Sequence, residues 1–495
     1  MKKIKIMEKK KYFFSDEEVI LNSIKYKNKF LSKDLKLNII KEQSKSKISS
    51  KLVVKNISIN SKMIKKNDIF FAIKGKKNNG NKFVSEALEK KSSLAVVNKY
   101  NKKYSLSKQV KVKNTLDFLT QCSSIFRENI DAKIISITGS CGKTTLKEMI
   151  GLTLKKISRA SYSPKSFNNR YGVPVSLFNL KQNDRFGVVE VGMDRKGEID
   201  NLTRIIKPDL GIITNISYAH SKNFKSINQI ADAKAEIMNH IKKNGAIVLN
   251  RDDYFFNYHK KFAQKKKLKV ISFGIDNKSS MIRLIRIKKI NKKYQLFINV
   301  QGMSVSFYSN NNNRSNLYNI LATLASINLY VDIKKIKKDI FLNFKSPLGR
   351  GDISKIKLRN KQFFLVDESY NSNPLSLKTA IENYDKIESN NSKKFLILGD
   401  MLELGKHSIV QHKIISRIVN KTKINQVYVI GKYIKETFKG LQPNKKAKIL
   451  NNKFDIIDIV KENVNNNDYL MIKGSNSTGL HRIADNLKLR GQNVI

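Results

Sequence analysis

The sequence predicts an α/β protein arranged in three blocks, with mostly parallel, doubly wound sheets in the second and third. Three observations carry that prediction. The chain has 495 residues, too many for one compact core. Short apolar runs of the buried-strand type alternate with helical segments through most of its length. At residues 137–145, "ITGSCGKTT" sets a glycine-rich turn between such a strand and a helix.

The first block, residues 1–112, opens with a lysine-rich leader expected to be partly disordered to about residue 28. "DIFFAIKG" then reads as a strand, "KFVSEALEKK" as a helix and "SLAVV" as a strand. The second block, 113–343, starts with the helical stretch "TLDFLTQCSSIFREN". Its strands are "AKIISIT", "FGVVEVG", "LGIITNI", "GAIVLN" and "KVISFGI", and it closes with a strand pair around "NKKY" and the helix "SNLYNILATLASINLY". The third block, 344–495, repeats the alternation with "KQFFLVDES", "KKFLILGD", "NQVYVIG" and "DYLMIKGS". Asparagine runs at 310–313 and 465–467 read as loops.

Composition narrows the class. The formal charge is +57, from 97 basic and 40 acidic residues, which raises nucleic acid or a membrane surface as a partner. The lysines, however, are spread along the whole chain among many asparagines and isoleucines, as an A/T-rich coding bias would leave them. No aromatic RNA-binding signature and no zinc-finger spacing accompanies them. Two cysteines, Cys122 and Cys141, offer no disulfide framework and suit a reducing compartment. The N-terminus lacks the apolar core of a signal peptide, and no apolar run reaches membrane-spanning length. A soluble, cytoplasmic, monomeric protein is the expectation.

In "GSCGKTT", Leu146, Met149, Ile150, Thr153, Leu154 and Ile157 follow at helical spacing, so the glycines sit where helix N–H groups can face an anion. Gly139 and Gly142 would let the backbone approach phosphate closely, with Ser140, Cys141 and Thr145 in the same cradle. Lys143 would reach the outer phosphates, and Thr144 would offer a hydroxyl to Mg²⁺. The loop is shorter than G-x-x-x-x-G-K-[ST], because Ile137 stands where the first glycine would be. Glu190 ends the strand "GVVEVG", as an oxygen ligand for a hard cation should, although a strand-closing glutamate is ordinarily just solvated. His220 lies beyond another strand, and Lys234 lies in a helix where a solvated surface lysine is the ordinary reading.

These segments, "GSCGKTT", "SFNNRYGVP", "EVGM", "TNISYAH" and "AKAEI", resemble the Mur ligase family in order and spacing. These are ATP-dependent amino-acid and peptide ligases of cell-wall synthesis. "DESYNSNP", "LGDMLELG" with His412, and "KGS" are similar to the member that adds D-alanyl-D-alanine to UDP-N-acetylmuramoyl-tripeptide. The resemblance implies a three-domain Mur ligase architecture: a UDP-sugar domain, a central P-loop ATPase domain and a C-terminal Rossmann-like domain. It further implies that Thr144 and Glu190 hold one Mg²⁺, and that His220 and Lys234 hold a second, with Lys234 carbamylated. Arg350 in "PLGRGD" would meet the γ-phosphate and Asp367 the ribose, while Asn316 and Asn319 would lie on the adenine side. Ser61 and Lys62 would face the uridine, and Asn168, Asn169, Tyr370, Asn371 and Asn373 would contact the other substrate parts.

The chain departs from the family pattern in several places. D-S-R is Asn60-Ser61-Lys62, D-G-H-x-F is Asn79-Gly80-Asn81-Lys82-Phe83, and the adenine motif has Ser315 for histidine. Cys141 replaces an asparagine or serine, and Asn476, Gly479 and Leu480 replace an arginine and a Met-Glu pair. Lysine in place of arginine loses a planar, two-pronged contact.

The implied chemistry is activation of a carboxylate as an acyl phosphate, attack by the amine of D-Ala-D-Ala, and loss of phosphate. Closure of the third block over the second would exclude water. No general base is singled out. Other readings stay open at this point. One is a diamino-acid-adding Mur enzyme or polyglutamate synthetase, another a nucleic-acid-binding ATPase, and a third an inactive scaffold. On the favoured reading no nucleic acid is required and no membrane is entered.

Overall fold

The structure is a computed structural model that describes residues 35–49, 51–75, 78–358, 360–388 and 391–492. The lysine-rich leader lies outside the described residues. Two compact units interleave along the chain. The first gathers residues up to Ile134 with Ser158–Val191 and Asn201–Pro208. The second gathers Ile135–Ile157, Gly192–Asp200 and Asp209 onward.

In the first unit, strands β1 (Ile57–Ser58), β2 (Ile69–Phe71), β3 (Leu94–Val97) and β4 (Gln109–Lys111) form a parallel sheet in that order. All of β2 and β3 is buried, as a parallel strand covered on both faces requires. The helix Thr115–Glu128 starts at Asn114, whose side chain accepts from the Leu116 and Asp117 N–H groups. Near its end the fully buried Arg127 guanidinium donates to the carbonyls of Ile206 at 2.7 Å and Lys207 at 2.9 Å. Those bonds are what make a buried cation tolerable. Strand β5 (Lys133–Thr138) leaves this unit from Ile135 onward, and β6 (Ala160–Tyr162) and β7 (Phe186–Glu190) return to it as a parallel pair.

The second unit holds two sheets. From β5 the order runs through β8 (Leu210–Ile213), β9 (Ala246–Asn250), β10 (Lys269–Gly274), β11 (Ile282–Ile290), β12 (Lys293–Val300) and β13 (Met303–Ser309). The pairs as far as β11 are parallel, and β11–β12–β13 form an antiparallel ribbon. The expected strand pair around "NKKY" is thus the first hairpin of a three-stranded ribbon. The second sheet contains β14 (Asp352–Leu358), β15 (Lys361–Glu368), β16 (Lys394–Gly399), β17 (Gln426–Ile430), β18 (Lys446–Ile449) and β19 (Tyr469–Lys473). Its order is β14-β15-β19-β16-β17-β18, and only β14 runs antiparallel. Alternate residues feed two cores: Leu365 and Ile397 join one face, Val366 and Leu396 the other.

Parallel strands collect their following loops at one end. "DESYNSNP", "LGDMLELG" and "KGS" follow β15, β16 and β19, three adjacent strands, so their loops share the carboxyl edge where α/β sheets bind ligands. Among the described residues no helix is long and apolar enough to cross a membrane.

Candidate active site

The glycine turn after β5 is held in shape by the loop after its parallel neighbour β8. Gly139 has φ +145°, and a Cβ there would lie 1.9 Å from Thr214 Oγ1. Gly142 has φ +83°, and a Cβ there would make only an ordinary contact with Asn319 Oδ1, so its requirement is conformational. The Ser140 N–H donates to the Asn215 carbonyl at 2.9 Å, and the Cys141 N–H donates to Asn215 Oδ1 at 2.9 Å. Thr214 Oγ1 donates to the Cys141 carbonyl at 2.6 Å, and Ser140 exchanges hydrogen bonds with the Ser217 backbone at 3.0 and 2.8 Å. Thr214, Asn215 and Ser217 lie in the "TNISYAH" segment, but sequence reasoning gave them no role of their own. The adjacency of β5 and β8 is the signal that would have found them.

The helix Lys143–Ile157 begins directly at the loop. Leu146, Met149, Ile150, Thr153 and Leu154 are its buried apolar stripe, as the spacing predicts, and Ile157 is half-buried. Lys143 Nζ donates to the Gly139 carbonyl at 2.6 Å, so the amine folds over the cradle. Thr144 is buried at the helix start, and Thr145 is half-buried. Asn319 Oδ1 lies 3.6 Å from a Cβ built on Gly142, which puts this residue beside the loop. Asn316 instead donates to Ser309 Oγ at 3.0 Å and secures the turn before its own helix.

The loop after β15 reaches the same cradle. Asn373 Nδ2 donates to the Ser140 carbonyl at 3.3 Å, and its Oδ1 accepts from the Cys141 thiol at 3.0 Å. That Oδ1 also accepts from the Ser376 N–H at 2.9 Å, capping the helix Pro374–Asp385. Burial raises the pKa of the Cys141 thiol, which keeps it a protonated donor. Ser475 joins the three loops of the sheet edge: its Oγ donates to the Ser372 carbonyl at 3.2 Å and accepts from the Leu402 N–H at 2.8 Å, while its N–H meets the Asp400 carbonyl at 3.0 Å. His412, fully buried, accepts from the Met401 N–H at 2.9 Å and lies 2.7 Å from the Ser408 carbonyl. Asp400 caps the Lys432, Tyr433 and Ile434 N–H groups. These residues fix the "GDMLELG" loop.

That loop meets the one after β8. The Lys222 N–H donates to the Glu403 carbonyl at 2.8 Å, and Ser221 Oγ donates to the Leu404 carbonyl at 3.2 Å. His220 sits in a left-handed conformation, φ +56°, which is costly for a residue that carries a Cβ. Its Nδ1 lies 2.5 Å from Glu403 Oε2 and 3.0 Å from Asp194 Oδ1, close contacts that lack well-directed hydrogen-bond geometry. The His220 ring beside Glu403 holds that carboxyl below the usual carboxylate range. All three ligand atoms lie within 4.8 Å of one another.

Lys234, in the helix Ile227–Ala235, is 2 % exposed rather than solvated. Burial, with the Lys143 ammonium adding to it, pushes its pKa well below that of an ordinary lysine. Arg350 stacks over the Tyr370 ring, 4.2 Å from its centroid. Asp367 is buried: one carboxylate oxygen lies 2.6 Å from Lys488 Nζ and the other accepts from the Ser369 N–H and hydroxyl. The Asn371 carbonyl accepts from the buried Lys473 Nζ at 3.1 Å, and that amine also pairs with Glu368 at 3.2 Å.

The remaining residues belong to the first unit. Asn168 Nδ2 donates to the buried Glu190 carboxylate at 2.8 Å. Asn169 Oδ1 accepts from the Tyr171 and Gly172 N–H groups and starts the helix Gly172–Phe178. Ser61 Oγ donates to Glu86 at 2.7 Å, and Lys62 is exposed.

A strand, a glycine turn, a helix-borne lysine and a second sheet edge clasped to that turn define a phosphate-loop α/β protein of the nucleotide-binding class. Residues 137–327 match the Mur ligase middle domain, and residues 355–476 match the Mur ligase glutamate ligase domain. The UDP-N-acetylmuramoyl-tripeptide–D-alanyl-D-alanine ligase of Buchnera aphidicola (subsp. Acyrthosiphon pisum) is 32 % identical over 88 % of this chain and 94 % of its own length. The enzyme of the same name from Rickettsia prowazekii is 30 % identical, over 88 % and 96 %. The chain belongs to the Mur ligase family, whose members are ATP-dependent ligases. The crystal structure of MurF from Acinetobacter baumannii shares the fold, with a TM-score of 0.77 over 91 % of this chain and 98 % of that one at 24 % identity. The MurF ligase of Thermotoga maritima in complex with ADP does so with a TM-score of 0.73 over 90 % and 100 %, at 23 % identity.

Proposed function

We propose that this chain joins D-alanyl-D-alanine to the tripeptide of UDP-N-acetylmuramoyl-tripeptide, using ATP and Mg²⁺, to make a peptidoglycan precursor. The observation that carries the reading is the clasp of Asn373 on the phosphate loop at Ser140 and Cys141. It puts the "DESYNSNP" segment, the part most particular to D-alanyl-D-alanine ligases, directly against the nucleotide cradle.

A carboxylate resists amines because its oxygen is a poor leaving group. The loop N–H groups and Lys143 would bind the β- and γ-phosphates and orient the γ-phosphoryl group for in-line transfer to the tripeptide carboxylate. The acyl phosphate and ADP form. The D-Ala-D-Ala amine then attacks the acyl carbon, and phosphate leaves from the tetrahedral intermediate as the amine loses a proton. Arg350, steadied by Tyr370, would meet charge on the transferred group. The loop contacts at Asn373, Glu403 and Leu404 would keep water from the acyl phosphate.

The donors fit hard divalent cations. The Thr144 hydroxyl and the Glu190 carboxylate are each oxygen donors of the kind such a cation takes, and His220, among the carboxylates of Asp194 and Glu403, suits one. Mg²⁺ bound there would neutralise phosphate charge. Burial favours the neutral form of Lys234, and a neutral amine adds CO₂ as a carbamate with release of one proton, which would turn it into an anionic ligand. A bicarbonate-derived ¹³C carbamate signal that disappears in Lys234→Met would establish this, and its absence from the wild type would remove Lys234 from the metal set.

The test of function is phosphate release from ATP and Mg²⁺ with UDP-N-acetylmuramoyl-tripeptide, with and without D-Ala-D-Ala. Release that needs both, with the UDP-linked pentapeptide found by mass and Lys143→Ala inactive, is the expected result. Release driven by a single diamino acid would point to a different Mur acceptor, and release driven only by polyanions would overturn the reading. The chain is further proposed to work as a cytoplasmic monomer in three domains (1–112, 113–343 and 344–495) with no need for nucleic acid.

A further inference from the structure

Asp352 and Asp367 are directly opposite one another in the antiparallel pair β14–β15. Two like charges so placed destabilise a sheet unless a counter-ion joins them. Lys488, on the helix Leu480–Gln492, supplies it: its Nζ lies 2.6 Å from Asp352 Oδ2 and 2.6 Å from Asp367 Oδ2. The helix itself is anchored by Leu480, Ile483, Ala484 and Leu487, all buried in one core of the sheet. Burial alone would lower the Lys488 pKa, but the hydrogen bonds its ammonium donates to the two carboxylates raise it above the ordinary value.

The two aspartates bracket the Arg350 loop. Asp352 Oδ1 accepts from the Gly349 N–H at 2.6 Å, and the Asp367 carbonyl accepts from the Gly351 N–H at 2.8 Å. The Gly349 carbonyl accepts from the Tyr370 N–H at 3.1 Å. Gly349 and Gly351 take φ of +72° and +88°, and a Cβ on Gly349 would meet Tyr370 Cβ at 3.0 Å. The loop therefore has one tight path, fixed at one end by the Asp352 carboxylate and at the other by the Asp367 backbone carbonyl, and Lys488 joins the side chains of both aspartates.

We infer that Lys488 is a positioning residue for Arg350: by neutralising the opposed Asp352–Asp367 pair, it holds the 349–351 turn so that the guanidinium stacks on Tyr370 and faces the transferred phosphoryl group. The last clause rests on the ligase reading above. The clasp itself does not.

The experiment uses the full chain with Lys488→Met, Lys488→Arg, Asp352→Asn and Arg350→Met. Hydrogen exchange read by mass spectrometry should show peptides covering 347–353 and 368–371 exchanging about tenfold faster in Lys488→Met and in Asp352→Asn, with the β16–β17 peptides unchanged. Lys488→Arg should restore protection to within about twofold. In turnover, Lys488→Met should lower kcat about tenfold, yet cost less than about twofold when added to Arg350→Met, because both changes remove one interaction. Unaltered exchange in a folded Lys488→Met, or a full tenfold loss persisting in the Arg350→Met background, would overturn the inference. If Lys488→Met fails to fold, Asp352→Asn decides, and unchanged exchange there sinks the clasp. Exchange needs no turnover, so a wild type without ligase activity would defeat the proposed function and leave this result standing.

Discussion

Asn373 Oδ1 lies 3.0 Å from the thiol of Cys141, a contact between residues 232 positions apart that fastens the carboxyl edge of the second sheet to the phosphate loop of the first. The same oxygen caps a helix, so one side chain couples helix, loop and nucleotide cradle. Asn373→Ala should cost about 1–2 kcal/mol in chemical denaturation through the lost cap and loop bonds. It should also weaken ADP binding by calorimetry. Cys141→Ser, which keeps a donor, should bind ADP within about twofold of wild type. Equal ADP affinity in all three proteins would mean the contact is incidental.

Gly139→Ala tests the turn. Its φ of +145° and the 1.9 Å approach to Thr214 Oγ1 leave no room for a methyl group. Relief would require Thr214 to abandon the Cys141 carbonyl. The expected loss is about 2 kcal/mol or more of stability together with at least about tenfold weaker ATP binding. A melting temperature and ATP affinity like those of wild type would show that the turn is not constrained as described.

His259 gives a pH dependence. It is 2 % exposed, its Nε2 lies 3.1 Å from the Ala231 carbonyl, and burial lowers its pKa from 6.5 to about 4. The unfolded chain binds the proton first on acidification, so this contribution is complete above pH 6.5 and is lost as pH falls towards 4. The shift is worth roughly 3 kcal/mol at most. His259→Gln, which lacks the titration, should show a flatter stability profile across that window in urea melts. Parallel profiles would rule the assignment out. The carbonyl it holds belongs to the helix that carries Lys234, so acidification should loosen that helix first.

Arg350→Lys should reduce kcat at least about tenfold with little change in melting temperature, since a point charge cannot keep the planar stack on Tyr370. Tyr370→Phe preserves the ring face and should be tolerated, whereas Tyr370→Ala should resemble Arg350→Lys. Equivalent kinetics for Phe and Ala at this position would remove the stack from the account.

Much of the fold was legible because it is locally encoded. Apolar strands such as β5, β9 and β16 are buried throughout or nearly so and announce themselves as runs of Ile, Val and Leu. The short strands β1, β4, β6 and β18 were not read, since two to four residues carry too little pattern. The asparagine runs do form loops. At the site, Gly139, Gly142 and Lys143 could be read because a phosphate turn needs contiguous residues. The segments "TNISYAH" and "KGS" could be noted, but the bracing roles of Thr214, Asn215, Ser217 and Ser475 could not, because their partners come from other strands.

The sequence by itself determined the alternating α/β plan, the phosphate loop and its lysine, and the family to which the chain belongs. Those are local patterns, and neighbouring residues specify them. Tertiary structure alone decided that Lys234 is buried, which pushes its pKa down, that His220 lies between Asp194 and Glu403, that Asn373 grips Cys141, and that Lys488 joins Asp352 to Asp367. Burial and charge pairing depend on which strands lie side by side, and the parallel order β15-β19-β16 is set by packing across the whole sheet.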